Sequence, residues 1–150
     1  MKLDKHTMKI IEEKLSKAII GIEEMLDSIV EKDSLSTEDI TQLVETLQPS
    51  FSVLSKKHVL EILYLLLVTG PLSFTDLKKT LQINQSSLAL KLRELEKLGF
   101  IKRQLSRKGG RPQVLYMLTE EGRKTALLSI PLIYYIASRE IKILEDEFRR

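Results

Sequence analysis

No cysteine occurs among the 150 residues, which excludes a disulfide framework, a thiol nucleophile, a thiolate zinc site and a cysteine redox sensor. Histidine is scarce as well. His6 and His58 lie far apart, without clustered carboxylates, so no transition-metal site is expected. No nucleophile-base arrangement is present. The Gly109-Gly110 pair is not followed by a helical pattern, so it lacks the setting of a nucleotide-binding turn. The expectation is therefore no enzyme and no cofactor. Long apolar runs are missing too: residues 62–68 and 126–137 fall short of the roughly 18 to 20 needed to cross a bilayer. The early Asp4, Glu12 and Glu13 do not fit a signal peptide. A soluble cytoplasmic protein with no membrane partner is expected.

What is present is 43% hydrophobic and 30% charged, enough for one core with appendages. The net charge of +3 is segregated along the chain. Residues 1–50 carry 6 Lys/Arg against 11 Asp/Glu, and residues 71–125 carry 12 against 5. A positive field confined to one stretch is what phosphate attraction through counterion release requires.

From residue 4 to 31 the apolar residues Met8, Ile11, Leu15, Ala18, Ile22, Met25 and Ile29 recur at alternating steps of three and four. That is an a/d seam on one long helix. Ile19, Leu26 and Val30 widen it, so packing on the body competes with a two-chain coiled coil; the coiled coil is favoured, because an isolated amphipathic extension has little other purpose. Residues 33–36 break the pattern. Ser36 with Asp39 resembles a capping box for a second helix to about Leu47, which Pro49 ends. Ser55 is expected to cap a helix over residues 56–68, apolar nearly all round and hence central to the core. Gly70-Pro71 stops it.

Ser73, with Asp76 three residues on, caps a short helix whose stripe is Phe74, Leu77 and Leu81. Gln82-Ile83 turns the chain and Asn84 caps a second helix. Leu88, Leu92 and Leu95 fall on its inner face, with Ser86, Leu90, Arg93 and Lys97 opposite. Gly99 ends it. Residues 100–105 and 113–118 read as strands, joined by a loop over residues 107–112 that holds Gly109-Gly110. Thr119 caps a C-terminal helix that Pro131 should kink or restart after Ser129. The apolar residues 130–136, with Ile133, Ile136 and the tyrosines 134 and 135, call for cover by the N-terminal helix, a second subunit, or both.

The expected fold is mainly α with a small β-wing: a winged helix-turn-helix domain over residues 51–123, an N-terminal dimerisation extension over 1–50 and a dimerisation or packing helix over 124–150. A helix in the major groove reads base edges from its N-terminal half while flanking cations hold phosphates. Asn84, Gln85, Ser86, Ser87 and Leu90 occupy the reading positions, with Asn84 more plausibly a cap, and Gln85 and Ser86 the favoured readers. Lys91 and Arg93 fit phosphate contacts beside them. Arg103, Arg107, Lys108 and Arg111 give the wing a cationic surface, and Arg111 is held extended by Pro112. Thr75, Lys78, Lys79 and Lys97 complete a backbone-facing perimeter. The pairing seams are Met8, Ile11, Leu15, Ile22, Met25 and Ile29 at one end and Ile133 and Ile136 at the other.

These residues carry a resemblance. Phe74-x-x-Leu77, Ile83-Asn84, Leu88-x-x-x-Leu92-Arg93-x-Leu95, Gly99-Phe100-Ile101, Arg103, then Tyr116-x-Leu118-Thr119-x-x-Gly122 resemble the winged-helix transcriptional regulators of the HxlR type, with MarR-, PadR- and ArsR-like groups as relatives. The resemblance spans about residues 55–125. It implies a homodimeric regulator of double-stranded DNA that pairs through terminal helices. Two departures stand out: the N-terminal sensor cysteine of many HxlR-like members is missing, and the leading 50 residues are longer than that group's usual extension. Thiol control is therefore not carried over, and an effector ligand is left open. The competing reading is a winged-helix protein-protein adaptor, whose wing charge meets an acidic partner.

Overall fold

The computed structural model describes residues 4–30 and 35–149. The expected helix end at Glu31 and the break at Asp33-Ser34 lie outside the described residues. The elements run α1 (Lys5–Val30), α2 (Thr37–Leu54), α3 (Val59–Thr69), β1 (Leu72–Ser73), α4 (Phe74–Leu81), α5 (Gln85–Lys97), β2 (Ile101–Lys108), β3 (Arg111–Leu118) and α6 (Glu120–Phe148). They divide into two compact units, residues 1–48 and 49–150.

In the first unit, α1 begins at Asp4, whose carboxylate accepts the His6 and Thr7 backbone amides, each at 2.9 Å. The start of α2 is a true capping box: Asp39 N–H donates to Ser36 Oγ at 3.1 Å, and Ser36 N–H returns to Asp39 Oδ2 at 2.9 Å. Pro49 does not end α2, as the sequence suggested; it lies inside the helix. An interior proline removes one hydrogen bond and crowds the preceding turn, but Val53 and Leu54 in the last turn pack against the core of the second unit, and that burial carries the helix past it.

Ser55 does not cap α3. Its hydroxyl donates back to Ser52 O at the end of α2, and α3 starts three residues later than Lys56, behind His58 in the left-handed region at φ 69°. The core forms around α3 as its composition requires. Val59, Ile62, Leu63 and Leu66 meet Leu77 of α4, Leu88, Leu92 and Leu95 of α5, Ile101 of β2 and Ala126 of α6, all buried.

The sheet has strand order β1-β3-β2 and is antiparallel throughout. The expected six-residue loop between the wing strands is replaced by a two-residue turn. Gly109 and Gly110 both have positive φ, 67° and 78°, as the tightest hairpin turn requires. The ladder therefore closes up to Lys108↔Arg111, with Arg107↔Pro112 next. Pairs alternate in an antiparallel ladder, and the pair beside such a turn is hydrogen-bonded. Pro112 thus falls in a non-hydrogen-bonded pair, where it has no ladder donor to lose; β1 reaches only Leu115 and Tyr116 on that side.

Of the two outcomes expected at Pro131, a kink or a restart after Ser129, the restart does not occur: α6 is one span with Pro131 inside it. Its first turns are fixed by tertiary bonds: Thr119 Oγ1 donates to Gly99 O and accepts from Gly122 N–H, and Tyr64 Oη meets Ser129 Oγ at 2.7 Å. Gly122 is required by close approach, since a Cβ there would lie 1.8 Å from Phe100 O.

Candidate nucleic-acid interface

The capping expected for α4 and α5 is what orients them. Ser73 Oγ accepts Asp76 N–H at 3.1 Å and donates to Asp76 Oδ2 at 2.8 Å. Gln82, left-handed at φ 53°, closes α4. Asn84 Oδ1 then accepts Ser87 N–H at 2.8 Å, which commits that oxygen to the helix end. With Leu88, Leu92 and Leu95 buried, Ser86, Leu90, Arg93 and Lys97 are exposed on the other side.

A groove joins α4 to the first turn of α5. Thr75, Lys78, Lys79 and Gln85 line it over Phe74 and Ile83, so three residues expected to hold backbone phosphates stand beside an expected base reader. Gln85 and Ser86 are exposed, and the Ser86 hydroxyl donates to Asn84 Oδ1 at 3.1 Å. Ser87 and Lys91 are turned onto each other. Both are half-buried, and Lys91 Nζ donates to Ser87 Oγ at 2.8 Å.

The wing differs from its sequence-based picture in two respects. Arg103 is exposed but not idle: its Nε lies 2.9 Å from Glu96 Oε1, tying β2 to α5. A surface pair of this kind adds little stability, about 0–1 kcal/mol, and its effect here is to orient the wing on the helix. Arg107 and Arg111 do not project together. Side chains alternate along a strand, and with Arg107 opposite Pro112 and Lys108 opposite Arg111, the two arginines stand on opposite faces of the ribbon. Both are exposed; the Lys108 side chain lies outside the described ones. On the far side of α5, Lys56 Nζ meets Glu94 Oε1 at 2.7 Å, anchoring the helix to the α2–α3 connection.

Of the seam residues, Met8, Ile11, Leu15, Ile29 and Ile133 are half-buried, while Ile22, Met25 and Ile136 are at least half exposed. Sequence reasoning passed over a second stripe: Ile40, Leu43, Val44 and Leu47 on α2 are all exposed, and their helical spacing was the signal for it. It also passed over Leu105 and Val114 on the wing, both exposed. Among the described residues no helix is long and apolar enough to cross a membrane, and no group of His, Asp and Glu is placed to hold a metal.

The fold is that of a winged helix domain, and residues 59–130 match the family model described as a winged helix DNA-binding domain. The uncharacterized protein MJ0944 of Methanocaldococcus jannaschii is 46% identical over 77 residues, which cover 51% of this chain and 64% of that relative, less than two thirds of its length. A transcriptional regulator homologue from Pyrococcus horikoshii OT3 superimposes with TM-score 0.50 at 26% identity, over 58% of this chain and 87% of that one. The transcriptional repressor BigR from Xylella fastidiosa shares the fold, with TM-score 0.53 at 22% identity, over 70% of this chain and 96% of that one.

Proposed function

We propose that the protein is a transcriptional regulator that binds specific duplex DNA sites as a homodimer, placing α5 in the major groove and the wing on the minor groove or backbone. The observation that carries the reading is the groove where Gln85 stands beside Thr75, Lys78 and Lys79, next to exposed Ser86, Arg93 and Lys97. Gln85 offers the donor-acceptor pair that matches an adenine edge. Ser86 donates to Asn84, leaving its oxygen to accept from an amino group on a base. The lysines and Arg93 supply phosphate contacts, and Arg107 and Arg111 bracket the wing with one cation on each face.

The dimer rests on apolar surface. Ile19, Ile20, Ile22, Met25 and Leu26 of α1, the α2 stripe, and Leu128, Leu132, Tyr135 and Ile136 of α6 are exposed, and apolar stripes of this kind mark interaction surfaces. A second copy covers such faces by two-fold symmetry. The HxlR-like assignment belongs to this proposal and rests on the motif from Phe74 to Gly122.

Mobility shift with a random duplex pool at two salt concentrations tests it. Log affinity should fall linearly with log salt, by about 0.9 per phosphate neutralised. Duplex binding that is absent, or insensitive to salt, would favour the protein-adaptor reading instead.

A further inference from the structure

The ribbon of β2 and β3 has two unlike faces. On one, the successive pairs are Ile101↔Leu118, Arg103↔Tyr116, Leu105↔Val114 and Arg107↔Pro112. Its inner half belongs to the body: Ile101 is buried, and Leu118 and Tyr116 pack against the core. Tyr116 and Arg103 also share a groove with Arg93 and Glu96 of α5. This face is therefore continuous with the exposed side of the reading helix. Its outer half is apolar and open, with Leu105 64% and Val114 44% exposed. At the same level the opposite face carries Gln104 and Gln113, both exposed and polar.

We propose that Leu105 and Val114 pack on the deoxyribose wall of the DNA minor groove, so that the wing grips the duplex through apolar contact as well as charge. The proposal rests on the DNA reading above and adds a contact that the cationic residues do not supply. Three observations select this occupant. Leu105 and Val114 form a non-hydrogen-bonded pair, two steps beyond Arg107↔Pro112, and in such pairs the side chains stand closest; together they make one small apolar pad. Arg103 and Arg107 flank the pad along β2, about 7 Å to either side, and Arg93 borders the groove that leads to it. The carboxylate among these groups, Glu96, is already paired with Arg103. A two-residue apolar pad with arginines along its β2 edge complements a surface whose apolar strips are bordered by anionic rails. The minor groove presents that pattern, with sugar C–H walls between phosphates and a width of about 6 Å, and apolar side chains are known to enter it. An uncovered apolar pair on an exposed ribbon is otherwise an association hazard.

The test uses the full chain and a duplex selected by the wild-type protein from a random pool. Leu105→Ser and Val114→Thr should each weaken binding roughly five- to tenfold with the wild-type salt slope retained, since no phosphate contact is lost. Arg107→Ala should instead reduce the slope by about one phosphate, and Gln104→Ala, on the other face, should change neither. Hydroxyl-radical cleavage, which attacks minor-groove sugars, should show protection flanking the major-groove site that Leu105→Ser removes. Both pad residues are exposed, so thermal unfolding should be unchanged, and Val114→Thr keeps the branched shape that the strand favours should the serine variant misfold. Unaltered affinity and footprint in both pad variants, with a normal wild-type salt slope, would overturn this inference and leave the DNA reading standing. Wild-type protein that binds no duplex would overturn the DNA reading itself. Pad variants that dissociate the dimer would assign the pad to a subunit contact and reject the proposal.

Discussion

Gln85 stands where the groove between α4 and α5 opens, one residue past a cap whose oxygen is spent on the helix end. That difference separates the proposed reader from a structural amide at adjacent positions. Gln85→Ala should cost about 1–3 kcal/mol on the preferred duplex and relax base choice at one position, as competition binding against single-base variants of the site will report. Gly122 has an unrelated constraint. The carbonyl of Phe100 fills the space a Cβ needs and is itself held by the Thr119 amide, so it cannot yield cheaply. Gly122→Ala should destabilise the domain by about 3 kcal/mol, read as a lower urea midpoint with unchanged slope. The Thr119-x-x-Gly122 spacing was visible in the sequence, but the reason for the glycine was not, because the atom it avoids belongs to the α5–β2 corner 22 residues earlier.

The helices show where local signals decide and where they do not. Ser36, Ser73, Asn84 and Thr119 all cap as expected, because a hydroxyl or amide oxygen finds an orphan amide within its own first turn. Asp4 and Asp39 do the same with carboxylates. Asp4 is held below the ordinary value of 3.8 by the Thr7 side-chain hydrogen bond first and the Thr7 amide next; Asp39 is held below it by the Ser36 amide first and the Ser36 hydroxyl next. A depressed carboxylate contributes stability that is fully present above its unfolded value and lost as pH falls through the folded one. Helical circular dichroism from the N-terminal unit should therefore decline as pH is lowered below about 4, and Asp4→Asn with Asp39→Asn should flatten that decline. Pro49 went the other way, since it lies within a continuous helix, and Pro131 does not restart α6, which runs through it. In α2 the burial of Val53 and Leu54 against the core outweighs a local penalty of about 3 kcal/mol. The exposed seam yields a further outcome: Leu15→Glu with Ile22→Glu should give monomers in sedimentation equilibrium. A dimer that survives both charges would place the interface on α2 or α6.

At the scale of the molecule, the two signs of charge are separated along the chain, with an acidic stretch over residues 1–50 and a basic one over 71–125. The basic stretch contains α4, α5 and the wing, and the apolar faces left open on α1 and α2 belong to the acidic one. A two-fold dimer of such chains presents two α5 helices to one duplex. Its sites should be inverted repeats with half-sites about one helical turn, roughly 10 base pairs, apart. Footprinting of selected duplexes checks this; protection of a single asymmetric half-site would contradict the symmetric pairing.

The sequence by itself determined the order of elements, the caps of α2, α4, α5 and α6, the buried stripes of α3 and α5, and the segregation of charge along the chain, because each is written in the residues of one short stretch. Tertiary structure alone decided that Pro49 sits inside a helix, that Arg103 holds the wing to α5, and that Arg107 and Arg111 take opposite faces. Those outcomes follow from burial by distant residues, from an ion pair between α5 and β2, and from a ladder that runs on to Lys108↔Arg111, pairing that is set only when two strands meet.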